Sequence, residues 1–330
     1  MRPLHRQFLH LVTVALITLT STSLALAQNW PTRPITMVVP YAAGGVYDTF
    51  GRIYAARLSE ILGHQVIVEN IGGAGGMTGT ARVAKAAPDG YQFVFGGIST
   101  HVQVPLLYKK PLYDAAIDFT PVALVAETAL VLVARKDLPA GNLAAFIAYA
   151  KLNQTKMQYG SPGPGTGSHL ACALLNAEIG LDITHIPYRG MSPAMNDLLG
   201  GRLDYICPTV STVLSQIEGK LVQATAVLTR ARSTTIPDVA SAHEQGITGF
   251  DASGWYAIFL PKNVPAPILQ KLNGATVAAM NTPSLVVRLK ELGATVPPPE
   301  QRSPDYLQKF VASEIEKWAK VVKLAGIKPE

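Results

Sequence analysis

Two glycine-rich segments, each placed between a predicted strand and a predicted helix, are the parts of this sequence best suited to chemistry. The first is Tyr41–Asp48 (YAAGGVYD) and the second is Ser161–Ser168 (SPGPGTGS). Backbone N–H groups at the start of a helix are unpaired and lie at the positive end of the helix dipole, so such a segment can hold a carboxylate or a phosphate. The first segment contains no nucleophile, which favours holding an anion over reacting with it.

The glycine spacing does not support nucleotide binding. A dinucleotide fingerprint requires G-x-G-x-x-G after a strand, whereas Thr78 and Ser168 stand where the third glycine of the two candidate stretches should be. A P-loop requires Lys and then Ser or Thr after its last glycine, and here Thr166 and Gly167 follow Gly165. We therefore predict that the protein uses no cofactor.

Signatures of catalysis and of metal binding are equally weak. Ser99 lies in Gly-Ile-Ser-Thr-His, which lacks the final glycine of a nucleophile elbow, and no histidines form an H-x-H or H-E-x-x-H pair. We predict neither a catalytic residue nor a metal site. The rival hypothesis is a secreted α/β hydrolase that uses Ser99 or Ser168. It requires a serine within hydrogen-bond reach of His101 or His169, with that histidine oriented by a carboxylate.

Several side chains beside these segments allow two interpretations. Asp48 can stabilise the start of the following helix, which is the preferred interpretation, or it can contact a ligand. His169 follows the second segment and can face a ligand or cap its helix. Tyr41 and Tyr188 each neighbour a proline at a predicted strand end, where a tyrosine can pack in the core or close over a ligand.

The elements that must position these segments alternate along the chain. Apolar runs of strand length alternate with segments of helical periodicity, which predicts layered α/β structure. Ligands of open α/β sheets bind outside the carboxyl ends of strands, where both segments fall, so a cleft lies between them if they face each other. The C-terminal third is predicted to be mostly helical. The predicted strands are 35–39, 65–69, 91–95, 130–134, 157–160, 183–188 and one that begins at 204; the main predicted helices are 49–62, 143–152, 169–179, 193–199, 267–280, 284–292 and 304–325.

The N-terminus predicts export. Basic residues precede the apolar run Leu11–Leu19, and small residues end at Ala27, which indicates a signal peptide cleaved between Ala27 and Gln28. A membrane anchor is the less favoured alternative, because the run is shorter than the ~20 residues that span a bilayer. Removal of this segment lowers the net charge from +6 to +4, and the basic residues are scattered, so we predict no nucleic-acid partner. Cys172 and Cys207 could form a disulfide or remain free thiols.

Seven stretches resemble, in their order along the chain, the exported solute-binding proteins of tripartite tricarboxylate transporters, the Bordetella uptake gene (Bug) family. They are WPTRPITMVVPYAAGGVYD, VENIGGAGGMTGT, APDGYQFVFG, GPGTGSHLA, HIPYRG, LLGGRLDY and WAKVVKLAGIKPE. The resemblance runs from Trp30 to the C-terminus, and the motifs in combination are far more specific than any one of them.

The resemblance implies a two-domain, hinged periplasmic-binding-protein fold that is type II-like, with the ligand cleft between the domains. Domain 1 would comprise residues 28–128 and 250–330, and domain 2 residues 129–249. The implied function is to capture a small carboxylate (a di- or tricarboxylate, an acidic amino acid or an aromatic acid) and deliver it to the membrane permease subunits. A monomer is expected. A ligand sensor that feeds a signalling partner is an alternative with the same pocket.

Carried over position by position, the resemblance also implies a ligand site. The backbone of Ala43 and Gly44 would lie near a ligand carboxylate, and Tyr188 would close the site from the second domain. Tyr41, Tyr47 and Asp48 are expected to select the ligand. The implied site residues are Tyr41, Ala43, Gly44, Asp48, Ser99 and Thr100 from the first domain and Ser161, Gly165, Thr166, His169 and Tyr188 from the second.

Overall fold

The structure is a computed structural model that describes residues 30–139, 141–188 and 190–324. The predicted signal peptide and its cleavage site lie outside these residues. The described chain has mixed α/β structure in which eleven strands form two separate sheets.

The first sheet has six strands in the order β11-β4-β10-β3-β1-β2. Strand β1 pairs in parallel with β2 and β3, whereas β10 runs antiparallel to both β3 and β4. The strands are β1 (Ile35–Val39), β2 (Val66–Asn70), β3 (Gln92–Gly97), β4 (Phe119–Thr128), β10 (Gly254–Pro261) and β11 (Ala294–Thr295).

The second sheet has five strands in the order β7-β6-β8-β5-β9. Strand β6 pairs in parallel with β7 and β8, and β5 is antiparallel to β8 and β9. The strands are β5 (Val131–Arg135), β6 (Gln158–Ser161), β7 (Thr184–Pro187), β8 (Tyr205–Ile206) and β9 (Val222–Val227).

Ten α-helices flank the sheets in the described part of the chain. They are α1 (Val46–Leu62), α2 (Met77–Ala84), α3 (Val104–Leu107), α4 (Leu143–Asn153), α5 (Gly167–Glu178), α6 (Met191–Leu199), α7 (Val210–Glu218), α8 (Ala266–Met280), α9 (Pro283–Glu291) and α10 (Pro304–Leu324). We refer to the first sheet with α1–α3 and α8–α10 as the first lobe, and to the second sheet with α4–α7 as the second lobe. Within the described ranges, no helix combines the length and the apolar character needed to cross a membrane.

Helix α1 illustrates how the sequence sets these elements. It ends at Gly63, whose φ of 70° suits a glycine at a helix C-terminus and whose N–H donates to the carbonyl of Ser59. Within the helix, a Cβ on Gly51 would lie 2.9 Å from Val39 Cγ2, so glycine lets the helix pack closely on β1. The helix begins three residues before the predicted start at Thr49.

Four strands were not predicted from the sequence, namely β4, β9, β10 and the two-residue β11. Strand β10 (GWYAIFLP) is a nearly continuous buried apolar run, and such a run does not distinguish a strand from a buried helix by its periodicity. The C-terminal third therefore contributes a central strand of the first sheet in addition to the predicted helices.

The chain passes between the two sheets twice, from β4 to β5 and from β9 to β10. Trp255 lies fully buried just after the return, and its Nε1 donates to Glu314 Oε2 at 3.1 Å. The proposed domain boundaries, at residues 128/129 and 249/250, stay a prediction. A disulfide joins Cys172 in α5 to Cys207 beside β8, which settles the alternative that the sequence left open.

Candidate functional site

A cavity of about 320 Å³ lies between the two lobes. The first lobe contributes its wall from the loops after β1 and β2 and from the segment after β3, and the second lobe contributes the loop between β6 and α5. No lysine or arginine is among the described residues that line it. The lining residues are Tyr41, Gly75, Ser99, Gln103, Val104, Leu107, Tyr108, Pro164, Gly165, Thr166 and Gly167.

The carboxylate of Asp48 holds the first glycine-rich loop. Its Oδ2 accepts the N–H of Gly44 at 2.8 Å, and its Oδ1 accepts from Asn70 Nδ2 and Arg52 Nε, both at 2.9 Å. Burial opposes ionisation of this side chain, which is only 4% exposed, but the hydrogen bonds from Arg52, Gly44 and Asn70 outweigh it and lower the pKa of Asp48. Both carboxylate oxygens thus accept hydrogen bonds from the protein, and a contact of Asp48 with a ligand stays a prediction.

The same contact affects the expectation that the first glycine-rich loop binds an anion. The Gly44 N–H is bonded to Asp48, so it is not free for a ligand carboxylate in this structure. The N–H groups of Val46 and Tyr47, in the first turn of α1, make no hydrogen bond within the described chain. Ala43 and Gly44 lie in an exposed loop and do not line the cavity.

Two tyrosines form the aromatic wall of the first lobe. The hydroxyl of Tyr41 donates to the Gly75 carbonyl at 2.9 Å, and its ring lies 4.5 Å from that of Tyr47 between centroids. Tyr47 also contacts Tyr256 at 4.8 Å, and its own hydroxyl is buried without a partner. Burial raises the pKa of Tyr47 to about 12, so this hydroxyl stays protonated and can donate.

The segment after β3 forms a π-helical turn, Ser99–Gln103, that leads into α3. Ser99 Oγ donates to Gln103 Oε1 at 3.2 Å. Gln103 is only 2% exposed, yet its Nε2 has no hydrogen-bond partner. Gln103 is not among the residues expected from the sequence, because no motif marks its position.

Thr100 and His101 point away from the cavity. Thr100 is fully buried, and its hydroxyl bonds to the backbone of Gly97 and to His101 Nδ1 at 2.9 Å. The His101 ring stacks on Phe259 with centroids 3.7 Å apart, and burial lowers its pKa to about 3. The hydroxyl of Thr100 is thus engaged within the core, and its role as a ligand contact stays a prediction.

The second glycine-rich loop ends at the first turn of α5. Thr166 is the N-cap and accepts the His169 N–H at 3.4 Å, and the Gly165 N–H donates to His169 Nδ1 at 3.0 Å. The N–H groups of Gly167 and Ser168 make no hydrogen bond within the described chain. The hydroxyl of Ser168, a residue only 8% exposed, is also without a partner.

His169 and Ser161 support this loop from beneath. The His169 ring stacks on His185 at 4.0 Å, and Ser161 Oγ lies 2.7 Å from His185 Nε2. Burial, and then the neighbouring His185, lower the pKa of His169 to about 4, so the ring is neutral near pH 7 and its Nδ1 can accept. Both residues are buried and bonded to their own loop, and their role as ligand contacts stays a prediction.

Tyr188 is likewise engaged outside the cavity. Its hydroxyl donates to Asp197 Oδ2 at 2.7 Å, and its N–H donates to the Ser161 carbonyl. Of the residues expected from sequence, the structure brings Tyr41 and Ser99 together with Gly165 and Thr166 across the cleft. Their role as ligand contacts stays a prediction.

The geometry offers little to the hydrolase hypothesis. Ser99 bonds to Gln103 rather than to His101, and Ser168 Oγ has no partner. Ser161 does meet His185, but its fully buried hydroxyl donates to the Gly163 carbonyl, and no carboxylate is hydrogen-bonded to His185 among the described residues. The part of the chain that is described also contains no group of three or more His, Cys, Asp or Glu that could hold a metal ion.

Comparison with known proteins adds the family. The model of the tripartite tricarboxylate transporter family receptor matches residues 50–327. A protein of Agrobacterium vitis, the UPF0065 protein in the TAR-I ttuE-ttuC' intergenic region, is 40% identical over 301 residues, which cover 91% of this chain and 86% of that relative.

Two solved structures are similar over nearly the whole chain. MatC of Rhodopseudomonas palustris with bound malate is 38% identical with a TM-score of 0.73, and the alignment covers 89% of this chain and 100% of MatC. The periplasmic binding protein BugD is 37% identical with a TM-score of 0.73, and the alignment covers 91% of this chain and 100% of BugD.

These relatives confirm that the protein has the two-domain periplasmic-binding-protein fold and that it is a receptor. The family consists of periplasmic receptors that work with the membrane subunits of a tripartite transporter, and its members are not enzymes. The resemblance to the Bug proteins, read from seven short stretches, is confirmed by similarity over the greater part of the sequence. The chain belongs to the tripartite tricarboxylate transporter family of receptors.

Proposed function

We propose that this protein captures a small carboxylate in the cleft between its lobes and delivers it to the membrane subunits of a tripartite transporter. The observation that carries the proposal is the pairing of Gln103 with the first turn of α5 across a cavity without cations. Both sides present unpaired donors there, the amide of Gln103 on one side and the N–H groups of Gly167 and Ser168 on the other. Such a set of donors suits an anion.

The donor set is strong enough for transport affinities. A hydrogen bond to a charged group contributes about 1.5–3 kcal/mol. Micromolar binding corresponds to about 8 kcal/mol. Three or four such bonds can supply a binding free energy of this size after the cost of ordering the ligand and closing the lobes is subtracted. Because burial in the closed cleft strengthens these bonds, no arginine or lysine is needed.

The walls of the cleft suggest where the rest of the ligand lies. Tyr41, Val104, Leu107 and Tyr108 supply apolar and aromatic surface beside the donors. A carboxylate with a short carbon body fits this combination, because its charged end meets the α5 turn and its carbon atoms meet the wall. The relative MatC was solved with malate, a ligand of this general kind.

Capture requires the lobes to move relative to each other. We place the two domains at residues 28–128 with 250–330 and at 129–249, so that the two crossings of the chain act as the hinge. Both sides of the site belong to one chain, which supports a monomeric receptor.

We also place the mature protein in the periplasm, with cleavage between Ala27 and Gln28. Ligand contacts are assigned to Tyr41, Ser99, Gly165 and Thr166.

Calorimetric titration of residues 28–330 tests the proposal. The probes are malate, adipate, glutamate and benzoate, with glucose and putrescine as neutral and cationic controls. We expect at least one carboxylate to bind at micromolar concentration and neither control to bind. Binding of glucose or putrescine with no binding of any carboxylate would contradict the proposal.

A further inference from the structure

The side chain of Gln103 is a buried polar group on the first-lobe side of the cleft with only part of its hydrogen-bonding capacity used. Its Oε1 accepts the hydroxyl of Ser99 at 3.2 Å, which fixes the orientation of the amide. Its Nε2, with two N–H groups, then has no partner although the residue is 2% exposed. Buried polar groups in native proteins are almost always paired, so a partner absent from the chain itself is implied.

The direction of this amide identifies where the partner sits. A Cβ placed on Gly167 would lie 4.0 Å from Gln103 Nε2, so the amide faces the first turn of α5 across the cleft. That turn offers the free N–H groups of Gly167 and Ser168 and the unpartnered hydroxyl of Ser168. The Nε2 group of Gln103 and the backbone N–H groups of Gly167 and Ser168 can only donate, so these groups of the two lobes cannot satisfy each other directly.

Only a group that accepts from both sides completes this arrangement. A carboxylate has two oxygens with about four acceptor sites, whereas a carboxamide has one acceptor oxygen and an alcohol brings its own competing donor. A buried donor without a partner costs free energy. In the open cleft water can pair with the donor, whereas in the closed cleft only the ligand can do so.

We propose that Gln103 is a specificity-determining residue that donates from the first lobe to the same carboxylate that the α5 turn holds on the second lobe. This inference rests on the proposed function and adds to it the bridging contact. Gln103 then discriminates a carboxylate from its carboxamide and makes closure depend on the bound anion. Ser99 is a positioning residue, because it holds Oε1 and leaves only the N–H groups towards the ligand.

Two variants of Gln103 test this role. Gln103→Glu keeps the size of the side chain but replaces the donor with a carboxylate, which repels an anionic ligand; we expect the affinity for the tightest-binding of malate, adipate, glutamate and benzoate to fall at least about 100-fold. Gln103→Met removes the donor without adding charge, and we expect a fall of about 10-fold. Lowering the pH enough to protonate the new carboxyl of Gln103→Glu should recover part of the loss.

Gln92 provides a matched control. Its Oε1 is also buried without a partner, but it lies at the start of β3, outside the cavity lining. Gln92→Met should leave the affinity within about twofold, and thermal unfolding of every variant checks that it is folded. If the wild type binds none of the four carboxylates, the proposed function fails. Two outcomes would overturn the role of Gln103 if the wild type binds one of the carboxylates. One is that folded Gln103→Met binds it as tightly as the wild type does, and the other is that Gln103→Met and Gln92→Met weaken binding equally.

Discussion

The two glycine-rich loops use the same local device with different chemistry. In each, the N–H of a glycine donates to the side chain four residues later, Gly44 to Asp48 in the first loop and Gly165 to His169 in the second. The acceptor is an ionised carboxylate in the first loop and a neutral imidazole in the second. A fixed negative charge therefore lies beneath only one of the two helix N-termini.

This difference indicates which loop receives the anion. The charge of Asp48 opposes a ligand carboxylate above α1, even though Arg52 partly balances it. The loop before α5 carries no such charge, and it is the loop that lines the cavity with Thr166 and Gly167. The second loop is thus the better carboxylate site, and the first loop serves mainly as a shaped wall.

Among substitutions in the two loops, the largest effect is expected from a matched pair of glycine substitutions. Both Gly165 and Gly44 have positive φ, 73° and 86°, so alanine strains either loop by about 1–2 kcal/mol. A Cβ on Gly165 would also overlap Leu107 Cδ1 across the cleft, whereas a Cβ on Gly44 would meet nothing within 4 Å. We expect Gly165→Ala to lower the ligand affinity about 30-fold or more, equivalent to about 2 kcal/mol, and Gly44→Ala to lower it less than threefold. Calorimetry on both variants measures the contrast, and equal losses would refute the assignment of the second loop as the carboxylate site.

Substitution of the two acceptor side chains should affect different quantities, stability in the case of Asp48 and ligand affinity in the case of His169. Asp48→Asn keeps an acceptor for Gly44 but loses the ion pair with Arg52, so we expect a stability loss of about 1 kcal/mol with affinity unchanged or slightly improved. His169→Leu removes the acceptor for Gly165, so we expect about a 10-fold loss of affinity. Urea unfolding and calorimetry together measure both quantities. A larger loss of affinity in Asp48→Asn than in His169→Leu would reverse the comparison.

The two acceptors should also respond to different ranges of pH. The pKa of His169 is about 4 in the folded protein, below the value near 6.5 of an exposed histidine, so the unfolded chain binds the proton first. Its contribution to stability is complete above about pH 6.5 and declines as the pH falls towards 4. The pKa of Asp48 is lowered, so its contribution is present above about pH 4 and declines only below that.

Denaturant unfolding at pH 7.5 and pH 5 tests this separation. We expect the wild type to lose stability between these values and His169→Leu to lose about 2 kcal/mol less, because the removed imidazole no longer titrates. His101 and His185, whose pKa values burial also lowers, add to this loss, whereas Glu127, whose pKa burial raises to about 7, offsets part of it. Asp48→Asn should lose as much as the wild type over this interval. An unchanged slope in His169→Leu would mean that this imidazole is not held neutral by the fold.

The smallest effect is expected at Ser99. Ser99→Ala frees Gln103 Oε1, so the amide can rotate and spend part of its time with oxygen towards the ligand. We expect about a threefold loss of affinity, well below that of Gln103→Met, with no change in thermal stability. Calorimetry on Ser99→Ala and on the double variant with Gln103→Met measures the coupling. Independent, additive losses would show that Ser99 does not act through Gln103.

The sequence was most informative where local signals agree. The strand, glycine-rich loop and helix around Ile35–Leu62 were predicted because proline, glycine and two different periodicities mark every boundary. The same signals located both loops of the cleft. Strand β10 was missed because burial on both faces removes the alternation by which a strand is recognised.

The limits of prediction at the site have a different cause. The sequence marks Asp48, Ser161 and His169 as polar residues in or beside the glycine-rich loops. Whether such a side chain faces outward or closes on its own loop depends on a hydrogen bond to a backbone N–H, and the sequence does not mark that bond. Gln103 lines the cavity from the turn after β3, and Leu107 lines it from α3. No sequence motif marks either residue.

The position of strand β10 has a consequence for how this chain folds. It lies between β4 and β3 in the middle of the first sheet, and it faces β4 with Gly254 opposite Thr128, 126 residues apart. All strands of the second sheet come from the interval between these residues, so that sheet can form while the first still lacks its central strand. During synthesis from the N-terminus, the edges of β3 and β4 remain unpaired until residues 254–261 arrive, and unpaired edges are sites of aggregation.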